Sequence, residues 1–102
     1  MSDRIAPSAG YTLSIRVTVR NTPGRLGALT TAIGEAGGDI GAIDLVEHRG
    51  DVLVRDVAVK CRDEVHGHDI VGAIHAVEGV DVRPQGVAPA VATAVRNVST
   101  RT

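Results

Sequence analysis

Asn21-Thr22-Pro23-Gly24-Arg25-Leu26 sets a side-chain amide, a hydroxyl and a Pro-Gly turn side by side. A helix that starts from such a turn leaves its first backbone N–H groups without partners, and they carry partial positive charge. That geometry suits a small anion, such as an amino acid carboxylate. The same residues also make an ordinary structural turn. The other chemically capable side chains are less suggestive. His66 and His68 stand two apart in a helical stretch and point in different directions. His68 and His75 share a face but lie two turns apart, and Cys61 belongs to a strand. None has chelate spacing, so the helix histidines read as solvated and no metal is expected. Ser2, Ser8, Ser14 and Ser99 lack a spaced His-Asp context, and there is no phosphate-loop pattern. The chain reads as one that binds without catalysing, with no cofactor.

The elements around the turn are legible. Leu13, Ile15, Val17 and Val19 alternate with polar residues over Tyr11 to Arg20, which predicts a strand with one buried face. Leu26, Leu29, Ile33 and Ala36 recur at helical spacing, predicting a helix from Arg25 to about Ala36 that Gly37-Gly38 ends. Asp39 to His48 and Val52 to Cys61 read as strands joined by a hairpin turn at Arg49-Gly50-Asp51. The apolar phase of the third strand switches between Val52/Val54 and Val57/Val59/Cys61, which predicts a bulge near Arg55-Asp56. Asp63 is the expected N-cap of a helix from Glu64 to Val77, with Ile70, Ile74 and Val77 as its buried stripe and Val71 beside it. Val80 to Arg83 forms a short fourth strand stopped by Pro84.

The order β-α-β-β-α-β predicts an α+β, ferredoxin-like fold: a four-stranded antiparallel sheet with two helices on one face. Right-handed crossovers put the first and third strands in the centre. Arg16, Thr18 and Arg20 then lie on an open sheet face, where a partner is expected. Asp44, Glu47, Arg55 and Asp56 are placed to make cross-strand charge pairs. Met1 to Gly10 is a loose lead and 85–102 a tail or linker, with a short helix conceivable over Ala90 to Arg96. The domain proper is 11–84.

The 102 residues fit one small domain. Without Phe or Trp, and with Tyr11 the lone aromatic, the core is aliphatic and thin, which favours burial against another copy. The net charge of −1 and the absence of a basic stripe argue against nucleic acid. No apolar run approaches a membrane span, and the N-terminus lacks a signal-peptide core. A single cysteine fits a reducing cytoplasm. Asn97-Val98-Ser99 matches a glycosylation sequon, which has no meaning in that compartment.

With this element order, the run Asn21-x-Pro23-Gly24-x-Leu26, followed by a helix and then Gly38-Asp39-Ile40 opening the second strand, resembles the ACT domain over Tyr11 to Arg83. The segments Ala32 to Asp44 and Val54-Arg55-Asp56-Val57 are similar to the amino-terminal ACT module of certain bacterial malic enzymes. The close of the chain resembles the approach to their catalytic domain. The segment from Gln85 to Val95 departs from that pattern. The resemblance implies a regulatory domain that binds an amino acid or organic acid between two copies. Asn21 matches a ligand-contacting position, the backbone N–H groups of Gly24, Arg25 and Leu26 line the same pocket, and Thr22 and Pro23 between them are counted as ligand-binding candidates. The position of Asp39 faces the ligand from the neighbouring copy in some members, and Ile40 beside it is a further ligand-binding candidate. Val19 stands where serine-binding members carry a polar residue, which argues against serine. The expected partners are a second copy, a small effector and a downstream catalytic domain. The competing readings are a dimerisation module without a ligand and, behind it, a small enzyme or metal carrier.

Overall fold

The computed structural model describes residues 10–89. The expectations for Met1 to Ala9, for a helix at Ala90 to Arg96 and for the Asn97 sequon lie outside the described residues. Six elements follow in order: β1 (Tyr11–Arg20), α1 (Arg25–Glu35), β2 (Asp39–Arg49), β3 (Val52–Cys61), α2 (Glu64–His75) and β4 (Val80–Pro89). The strands form one antiparallel sheet in the order β2-β3-β1-β4, with β1 and β3 central as expected.

The alternation in β1 buries Leu13, Ile15, Val17 and Val19 on one face. Leu29 and Ile33 of α1 and Ile70, Val71 and Ile74 of α2 join them, with Val57, Val59 and Cys61 of β3, in a single core. Both helices therefore cover the same face. Leu13, Ile15, Leu29, Ile33, Ile70 and Ile74 are each at most 1% exposed, and such side chains contribute about 1.5–3 kcal/mol apiece. The two helices end and begin against one another. Gly37, with φ 88°, donates to Gly34 O at 3.0 Å, and Gly38 donates to Ile33 O at 2.9 Å. This pair of bonds is the Schellman stop. Gly38 also lets β2 approach the core, since a Cβ there would lie 2.7 Å from Val59 and 3.0 Å from Ile33 and Ile70.

The structure corrects two expectations. Strand four does not stop at Pro84 but runs on to Pro89. β4 is an edge strand, where the missing proline N–H is tolerated, and its register slips opposite Ser14/Ile15. The 85–102 tail thus begins as strand. Nor is there a bulge at Arg55-Asp56, because β3 pairs with β1 without interruption. The irregularities fall in β2, at Gly41 and Val46. The phase switch in β3 has another cause: Val54 is buried on the opposite face, in a depression lined also by Arg16, Thr18, Glu47 and Arg49.

Candidate functional site

The corner between β1 and α1 is built by backbone. Asn21 N–H donates to Asp51 O at 2.8 Å, tying the corner to the β2–β3 hairpin, and Thr22 N–H donates to Arg20 O. Gly24 has φ 83° at the N-cap, which glycine adopts without strain. The first i→i−4 bond of α1 runs from Ala28 N–H to Gly24 O at 2.9 Å. The N–H groups of Gly24, Leu26 and Gly27 are left without a partner among the described residues. Arg25 departs from the expectation, because its N–H is taken by Thr22 O at 3.2 Å. Its guanidinium is also engaged, donating to Glu78 O at 2.7 Å in the turn before β4. The Asn21 amide is exposed and makes no side-chain hydrogen bond among the described residues. Thr22, Pro23 and Leu26 are exposed as well. A cavity of about 240 Å³ opens at this end of the sheet, lined by Arg20, Val52 and Gly79 among others, but residues 21–26 do not line it. In one chain the corner is a surface rather than an enclosed pocket.

Asp39 and Ile40 lie elsewhere. Asp39 pairs with Lys60 and Ile40 with Val59, and these stand opposite Thr12 and Leu13 at the start of β1. Asn21 follows the end of that strand, so it is roughly 30 Å from Asp39 along the strand direction. One chain brings residues 21–26 together and leaves Asp39 and Ile40 at the far end. Val19 is buried in the core.

A sequence model for the ACT domain matches residues 7–82. The chain belongs to the ACT domain family. ACT domains are regulatory, ligand-binding modules and not catalysts. The chain is 31% identical over 68 residues to NAD-dependent malic enzyme 1 of Bacillus subtilis (strain 168), a match that covers 66% of this chain and 16% of that enzyme. Among solved structures, the ACT domain of GTP pyrophosphokinase from Chlorobium tepidum superposes with a TM-score of 0.62 at 16% identity, covering 74% of this chain and 97% of that one. An uncharacterized protein, TM1266 of Thermotoga maritima, gives 0.56 at 14% identity, covering 78% and 95%. These two likenesses concern the fold.

Elsewhere in this ACT domain, one histidine is not solvated. His66 is 3% exposed. Its Nδ1 accepts from Arg62 N–H at 2.9 Å, which requires the proton on Nε2 and makes that nitrogen the donor to Ala36 O at 2.8 Å. The ring thus bolts the start of α2 to the end of α1. The signal was available, since His66 continues the Ile70/Ile74 stripe at four-residue spacing. Among the described residues no three metal-binding side chains converge, and no helix is long and apolar enough to cross a membrane.

The charges beside the second hairpin pair differently from expectation. Asp56 is gripped by Arg16 of β1 at 2.7 and 2.9 Å, and this hydrogen bonding holds its carboxyl below the usual range. Glu47 binds Arg49 of its own strand at 2.9 and 3.1 Å, and Arg49 likewise pulls its carboxyl down. Asp44 stands opposite Asp56, a like charge. Arg55 faces the helix side between Val17 and Leu45, and its buried Nε has no hydrogen-bond partner among the described residues. Burial pushes the Cys61 thiol up, which leaves it unreactive.

Proposed function

We propose that this ACT domain binds a small carboxylate, an amino acid or organic acid, at the β1–α1 corner, and that a second copy supplies the other wall. The observation that carries the reading is the corner itself. A left-handed glycine starts α1, and among the described residues the N–H groups of Gly24, Leu26 and Gly27 and the Asn21 amide beside them have no partner. A second copy with its strands reversed carries Asp39 and Ile40 to that corner. The Asp39 carboxylate then suits the ammonium of an amino acid, while the N–H groups take the carboxylate. Binding favours one orientation of the two copies and so biases whatever catalytic domain is attached. The likeness to the Bacillus enzyme supports an NAD(P)-dependent malic enzyme as host, in the reducing cytoplasm that a single buried thiol suits.

The second reading, assembly without a ligand, has its own observation. Arg25 N–H bonds Thr22 O and its Nη1 bonds Glu78 O inside the chain, as a structural turn requires, although its buried Nε has no partner among the described residues. A thermal-shift screen with amino acids and small dicarboxylates at two protein concentrations separates the two. A ligand that binds the folded dimer raises the melting temperature by mass action, and Asn21→Ala abolishes that rise. A melting temperature that follows protein concentration with no responding ligand establishes the structural reading instead.

A further inference from the structure

One row of residues crosses the sheet face that no other described element covers, at a single level: Asp44 on β2, Asp56 on β3, Arg16 on β1 and Arg83 on β4. It reads acid, acid, base, base. The inner pair is bonded, but each outer residue sits directly opposite a like charge, an arrangement that destabilises a sheet. Asp44 and Arg83 are exposed, and neither has a hydrogen-bond or ion-pair partner among the described residues. The isolated domain gives no return for either. The adjacent row consists of Ala42, Ala58, Ser14 and Gly86, all small, and a shallow cavity of about 170 Å³ runs from it to Asp44 and Asp56.

We infer that this face is an interface with a second copy of the chain, packed sheet to sheet about a two-fold axis that runs parallel to the strands between β1 and β3. That rotation exchanges the left and right halves of the sheet and keeps the level of each row. The partner's Arg83 then meets Asp44 beside the small cavity, and the partner's Arg16 meets Asp56. The row of small residues meets its own copy, which permits the roughly 10 Å spacing of stacked sheets. A two-fold across the strands at the level of this row would set acid on acid and base on base, which the row disfavours. The next row places Glu47 opposite the partner's Asp81, but Glu47 arrives already neutralised by Arg49. Four strands of this length present about 550 Å² per copy, enough for a specific though modest interface. This interface is separate from the corner, so a chain that uses both assembles beyond a dimer.

The test is sedimentation of the full chain with Asp44→Arg, with Arg83→Asp, and with an equimolar mixture of the two. Either substitution alone relieves a like-charge contact within its own sheet, so at dilutions where no copy associates each variant melts at the native temperature or above. Yet each makes the row self-repelling across the two-fold, and self-association by this face weakens by at least about tenfold. Mixed, the two variants have complementary rows and reassociate to the native size. Added salt weakens the native assembly. A native chain with no concentration-dependent association, single variants that assemble as the native chain does, or a mixture that gains nothing over its components would each overturn the inference.

Discussion

The two helices of this domain begin in opposite ways. α2 starts from Asp63, whose extended backbone lets the carboxylate accept from His66 N–H at 2.8 Å, and Glu64 adds negative charge in the first turn. α1 starts from Gly24, with no side-chain cap and no acidic residue in its first turn. The half-repeats are otherwise alike, each a strand leading to a helix on the same face. One helix end is satisfied from within, by cap, charge and histidine ring. The other keeps free donors and a positive end dipole. Sites are where local rules are left unmet while the rest of the fold obeys them, and by that standard only the α1 end is fit to receive an anion.

Substitutions at each end test the contrast. The largest stability loss is expected from His66→Ala, which orphans Arg62 N–H and Ala36 O and leaves a void, at a cost of about 3 kcal/mol in urea unfolding. Gly24→Ala comes next. Nothing lies within 4 Å of a Cβ there, so the cost is conformational, from a φ of +83°, and about 1–2 kcal/mol. Asp63→Ala removes the one side-chain cap, for about 1 kcal/mol. Asn21→Ala should change stability by less than about 0.5 kcal/mol while abolishing ligand-induced stabilisation. If Asn21→Ala destabilised more than Asp63→Ala, the contrast between a working end and a structural end would be broken.

The smallest effect is a control on pH. The folded-state pKa of Asp56 is depressed by Arg16. The stabilisation is complete above the unfolded carboxyl value, about 3.9, and is lost as pH falls through the lower folded one. Asp56→Asn should flatten a shallow acid-side slope in melting temperature.

Most of the fold was legible because its signals are local. The alternation from Leu13 to Val19, the Asp63 cap and the Gly37 stop each report on a few adjacent residues, and β3 begins and ends where its pattern says. What escaped depends on what lies across the sheet. Pro84 looks like a strand stop until its place on an edge shows that no neighbour needs its N–H. Val54 looks like evidence of a bulge until the arginines of the open face show how it is covered. The corner was visible as a motif, but the use of Arg25 N–H within the turn was not, nor the distance to Asp39. His66 was misread because a buried histidine needs two partners, and while Arg62 N–H lies four residues away, Ala36 O comes from the end of the other helix, which sequence does not bring near.

The grip of Arg25 on Glu78 O has a mechanical consequence. Gly79 leaves room for the guanidinium, since a Cβ there would come within 3.0 Å of Nε. The residue that follows the glycine corner is thereby strapped to the loop feeding β4, the strand from which the chain continues. The corner and the turn into β4 stand at the same end of the sheet, where Arg20 N–H also donates to Gly79 O at 3.0 Å, so the start of α1 and the entry to β4 are pinned together twice, once by backbone and once by a side chain.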